Sequence, residues 1–197
     1  MDIQVQKLKL LKSNFLSEKY ALEDKIIKYY PQRITALENR IEGLKQDVET
    51  AKQHPKPTDD RFVGMEVKGV FYSEKADAGK AIIEACKQMN SPDPIPLGKY
   101  RGFETELLFN TAERNYEVRL KGATSRNVPL GDDAHGNIIR LDNGIDRFAE
   151  SLSLAENDLE NTKNQLETAK KEVQKPFIQE EELRTKLARL DELNILL

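Results

Sequence analysis

Apolar residues recur in the first part of the chain at Ile34, Leu37, Ile41, Leu44, Val48 and Ala51, in alternating steps of three and four. Glu, Lys, Arg, Gln and Asn fill the positions between. That spacing predicts a coiled-coil seam, narrower than the apolar face of an ordinary globular helix. It stops at His54-Pro55-Lys56-Pro57, because proline lacks the N–H and clashes with a continuing helix. A second seam runs through Ile145, Phe148, Leu152, Ala155, Leu159, Thr162, Leu166, Ala169 and Val173 without a slip. Asp142 stands ahead of it, where a carboxylate can accept the first free backbone N–H groups as an N-cap.

Two heptad helices separated by a non-helical insert predict an antiparallel pair with the insert at its tip. Pro31 and Pro176 fall at similar levels of the two arms, so both arms are expected to kink or restart there. Glu180, Glu181 and Glu182 suit the positive end of a new helix after Pro176. Beyond it, Leu183, Leu187, Leu190 and Leu193 are placed to pack on Leu8, Leu11, Phe15 and Leu22.

From Asp60 to Leu141 the heptad is lost. Phe62 to Tyr72 is strand-like. Ser73 is placed to cap a helix from about Glu74 to Met89. Ser91 to Pro96 reads as a stiff loop, and strands are expected over Lys99–Phe109, Tyr116–Lys121 and Ser125–Leu130. The predicted fold is therefore α+β: a long antiparallel coiled-coil stalk carrying a small β-α-β-β-β head. Its parts are an N-terminal arm (1–54), a head (60–141) and a C-terminal arm (142–197).

Composition fits that picture. Of 197 residues 33% are charged and 38% hydrophobic, which is lean for one compact core and natural for helices wrapped in water. No stretch reaches the roughly 18 apolar residues of a spanning helix, and Met1 to Leu16 is broken by Lys7, Lys9 and Lys12, unlike a signal peptide. The lone Cys86 permits no internal disulfide, so a cytoplasmic location is the default expectation. The net charge of −3 gives no global pull toward nucleic acid.

Few residues suggest chemistry. Ala78-Gly79-Lys80-Ala81 lacks the earlier glycine and the following Ser or Thr of a phosphate loop. Asp93-Pro94-Ile95-Pro96 lacks the second proline and aromatic of the amino-methyltransferase element and reads as a rigid loop. Gly131-Asp132-Asp133-Ala134-His135-Gly136-Asn137 could hold a metal weakly, but it reads better as a turn entering a helix. Cys86 sits on an apolar helix face as a small hydrophobe. The expected strands carry Lys99, Arg101, Arg114, Arg119, Lys121 and Arg126 with Tyr100, Phe103 and Tyr116, against Glu104, Glu106, Glu113 and Glu117. Alternation could sort cations onto one face and acids onto the other, giving a phosphate groove with stacking aromatics; a face of mixed salt bridges is the alternative. The candidate nucleic-acid contacts are Lys99, Tyr100, Arg101, Arg119, Lys121 and Arg126.

Several strings then stand together: Leu97-Gly98-Lys99-Tyr100-Arg101-Gly102-Phe103-Glu104, Tyr116 to Gly122, Gly136 to Asn143, Ala169 to Phe177, and Arg189 to Asn194. In order and spacing this resembles the C-terminal region of very large SNF2-type helicase and adenine-specific DNA methylase proteins of bacterial conjugative elements and phages. The resemblance implies a terminal piece of a longer protein, with the ATPase and methylase parts upstream and none of their catalytic residues here. The expectation is a non-catalytic accessory module without cofactor or metal, its head engaging DNA or another part of the parent protein. A stand-alone coiled-coil protein mediating protein association is the alternative. No membrane contact is expected, and a monomer is favoured over a homodimer.

Overall fold

The computed structural model describes residues 2–59 and 61–195. In chain order the elements are α1 (Asp2–Asp24), a π-helical segment (Lys25–Tyr29), α2 (Tyr30–Gln53), β1 (Met65–Val67), β2 (Val70–Tyr72), α3 (Lys75–Lys87), β3 (Ile95–Tyr100), β4 (Phe103–Asn110), β5 (Asn115–Lys121), β6 (Ser125–Pro129), α4 (Ala134–Val173) and α5 (Glu180–Ile195). The class is α+β, with one antiparallel sheet in the order β2-β1-β3-β4-β5-β6. Two compact units divide the chain: Leu37–Asn157 forms one, and Met1–Ala36 with Asp158–Leu197 the other.

Every residue of the two heptad seams is buried or half-buried, from Ile34 to Ala51 and from Ile145 to Val173. Pro31 does not interrupt the helical path with a loop. Instead the turn before it widens, and the Tyr30 N–H donates to the Lys25 carbonyl, five residues back. A wider turn gives the proline ring room against the preceding carbonyls. Asp142 is not an N-cap, since α4 begins at Ala134. The cap is Asp133, whose Oδ2 accepts the Gly136 N–H at 2.6 Å while its carbonyl takes the Asn137 N–H at 3.0 Å. Asn137 locks the entry by accepting the Gly131 N–H and donating back to the Gly131 carbonyl. The segment from Gly131 to Asn137 is thus a turn into a helix.

In the terminal unit α1 packs on α5. Val5, Leu8 and Leu183 form a buried cluster with Leu187 and Leu190 against it. Lys12 meets Glu180 at 2.6 Å and Lys186 meets Gln4 at 3.1 Å, so the two helices run antiparallel. Phe15 meets the Phe177 ring at 5.5 Å, whereas Leu11 and Leu193 stay substantially exposed. The break at Pro176 is present between α4 and α5, and α5 opens with Glu180, Glu181 and Glu182.

In the sheet unit, the run Phe62–Tyr72 is two three-residue strands instead of one. Lys68 (φ 52°) and Gly69 (φ 79°) turn the chain between them. The expected strand Lys99–Phe109 likewise divides, at Arg101 (φ 45°) and Gly102 (φ 80°), and β3 reaches back into the expected proline loop at Ile95. Two central residues with positive φ make each a primed hairpin turn, whose twist matches that of the flanking strands. Helix α3 starts at Lys75, and Glu74, with no side-chain cap, occupies the position expected of Ser73.

One sheet face is the core. Tyr100, Phe103, Leu107, Val118, Leu120 and Val128 are buried, with Ile145 and Phe148 of α4 buried alongside. Phe103 stacks on Phe148 at 5.1 Å between ring centroids. Gly144 is required where α4 meets the sheet, because a Cβ there would press on Val128 and Leu120. Asp47 of α2 is buried and pins the β5–β6 turn: its carboxylate accepts the Ala123 N–H at 2.6 Å, the Thr124 N–H at 2.8 Å and the Thr124 hydroxyl.

Candidate functional site

The sheet's other face carries charge, and strand register decides its pattern. Glu66 pairs with Lys99, Lys99 with Glu104, and Glu104 with Lys121. In the next row Glu106 pairs with Arg119 and Arg119 with Asn127. Cations and acids therefore share one face in alternating columns, and the sorting by face does not occur. Arg119 reaches Glu106 at 3.4 Å and Asn127 at 3.1 Å, while Lys121 reaches Glu106 at 2.8 Å. The Glu106 hydrogen bond, then its charge, raises the Lys121 pKa. Glu117, 6% exposed, accepts from Asn110 at 2.8 Å and Asn127 at 2.9 Å. Opposite charges placed across from each other stabilise the pair and cancel most of the field a phosphate would meet.

The other three candidates turn inward. Arg101 and Asp142 are 4% and 3% exposed in their side chains and meet at 2.9 Å. Arg101 also reaches Asp146 at 3.4 Å and donates from Nε to the His54 carbonyl at 3.0 Å, closing the C-terminal end of α2. The Tyr100 hydroxyl donates to Asp142 at 2.9 Å. Burial first, and then the Asp142 charge, drives the Tyr100 pKa far above the ordinary phenol value. Arg126 lies over the Phe148 ring at 5.4 Å and donates to the Arg147 carbonyl at 3.2 Å and to the Ser151 hydroxyl. Desolvation, then Arg147, lowers its pKa. These three residues join the sheet to α2 and α4. The remaining candidate, Lys99, is exposed and stands between Glu66 and Glu104.

What remains open is apolar and lies at the β1–β2 end of the sheet. Phe71 is 67% exposed, Val70 51% and Val63 42%. The Phe71 ring rests on Gly64, which has φ +85° and no room for a Cβ beneath the ring. Beside it a groove of about 400 Å³ runs between Val63, Glu66, Lys99 and Pro55. Strand β2 pairs only with β1, so its outer edge offers unpaired backbone groups. The sequence reading gave Phe62 to Tyr72 only as strand-like and did not single out this surface.

The chain matches no known family model, no curated protein and no solved structure. Among the described residues no helix is long and apolar enough to cross a membrane.

Proposed function

We propose that this chain is a non-catalytic interaction module whose sheet unit docks a protein surface at the β1–β2 edge. The observation that carries the reading is the exposed Phe71 on the open edge strand β2, with Val63 beside it along the groove and Val70 exposed on the opposite face of the same strand. Large apolar side chains gathered on an edge strand favour strand addition with side-chain pockets. The neighbouring Lys99 and Glu66 supply a polar rim. The sheet's charged face is the weaker candidate for contact, because Arg119 and Lys121 already serve Glu106.

In this reading the heptad arms act as an antiparallel stalk. The seam burial and the α1–α5 packing support it. The docked surface is another part of a longer parent polypeptide or a separate chain. A photo-reactive benzoylphenylalanine at position 71, with a control at exposed His135, tests the assignment in the producing cell. Protein adducts from position 71 and not from 135 support the reading. Equal adducts from both positions, or none from 71, refute it.

A further inference from the structure

A second groove, of about 520 Å³, opens elsewhere on the sheet unit, between α3, the β4–β5 turn and the approach to α4. That is the size of a small-molecule site. Its wall is apolar along Ile83, Cys86, Tyr116 and Leu130. Two cations line it, Lys87 from the end of α3, which also meets Glu84 at 3.8 Å, and Arg114 from the turn; Asp132 is the acid on the wall. Arg114 is held at φ 55°, an uncommon conformation for a residue other than glycine, asparagine or aspartate. The next residue, Asn115, also on the wall, keeps its side-chain Oδ1 buried without a hydrogen-bond donor.

These features specify a ligand. The cations call for an anion, and a guanidinium beside an ammonium suits a carboxylate. The apolar wall calls for a hydrophobic body. We propose that this groove binds the free carboxylate end of an apolar amino acid, with Arg114 and Lys87 meeting the carboxylate and the side chain lying on the wall of Ile83, Tyr116 and Leu130. Free amino acids and the C-terminal residue of a polypeptide share that chemistry. The site is separate from the β1–β2 edge and does not depend on the docking proposed there.

The test follows backbone amide signals of the full chain during titration with phenylalanine, with Gly-Gly-Phe and with Gly-Gly-Phe amide. The two free acids are expected to shift amides at 83–87, 114–116 and 130–132. The amide is expected to bind at least about tenfold more weakly. Stronger binding by phenylalanine assigns a free amino acid, and stronger binding by the tripeptide assigns a chain end. Arg114→Asn, which keeps a residue tolerant of positive φ, and Lys87→Gln are each expected to weaken binding several-fold with the unfolding midpoint unchanged. Amide and acid binding equally, shifts scattered outside these three segments, or no saturable shift at millimolar concentration would each overturn the proposal.

Discussion

Replacing Arg101 with methionine isolates the pair that ties three elements together. The substitution keeps a long side chain but removes the partner of Asp142, which is 3% exposed, and the donor to the His54 carbonyl. Tyr100 still donates to Asp142, so the carboxylate keeps one bond and loses its counter-charge. Breaking a buried ion pair on one side costs about 3–5 kcal/mol. For a chain of 197 residues, at about 2–4 °C per kcal/mol, Tm should fall by about 6–20 °C. Urea denaturation of R101M, D142N and the double variant reads the coupling. The double variant should recover part of the R101M loss, because no buried charge is then left alone. An R101M cost under about 1 kcal/mol, or no recovery in the double variant, would refute the assignment. A phosphate-contacting arginine predicts the opposite pattern: unchanged stability and weaker, less salt-dependent DNA binding.

Asp47→Ala strands the Ala123 and Thr124 N–H groups and should cost about 2–4 kcal/mol in urea unfolding, with Asp47→Asn losing less. Alkaline pH should also destabilise the fold. Burial lifts the Cys86 thiol from 9.0 to about 11 and raises Tyr100 above its ordinary phenol value. Both groups hold their protons longer folded than unfolded. Their contribution is therefore complete below the unfolded pKa and falls as pH rises past it, from about 9 for the thiol. Stability measured from pH 8 to 11 should decline, with Cys86→Ala removing the earlier part and Tyr100→Phe the later; a flat profile would contradict both placements.

The helical seams were legible because a steady step of three and four needs only the sequence, and Ile34 to Ala51 and Ile145 to Val173 show it. The break after Val173 was legible because Pro176 acts locally. The two hairpins were not. Their turns are Lys68-Gly69 and Arg101-Gly102, where the usual signal is Asn or Asp before glycine, so each pair of strands read as one. Asp142 looked like a cap because an acid preceded an apolar run. Its true partner lies 41 residues away, and no local pattern links it to Arg101. The cations were found, yet their meaning depended on register. Once Glu106 stands opposite Arg119, alternation places both signs on one face. The exposure of Phe71 was not legible because exposure of a short edge strand is a property of the sheet order.

The most direct measurement compares photo-cross-linking from position 71 with that from position 121, on the charged face, in the producing cell, with and without nuclease. The account predicts protein adducts at 71 that survive nuclease and little adduct at 121. Nuclease-sensitive adducts at 121, with none at 71, would contradict it and return the charged face to nucleic acid.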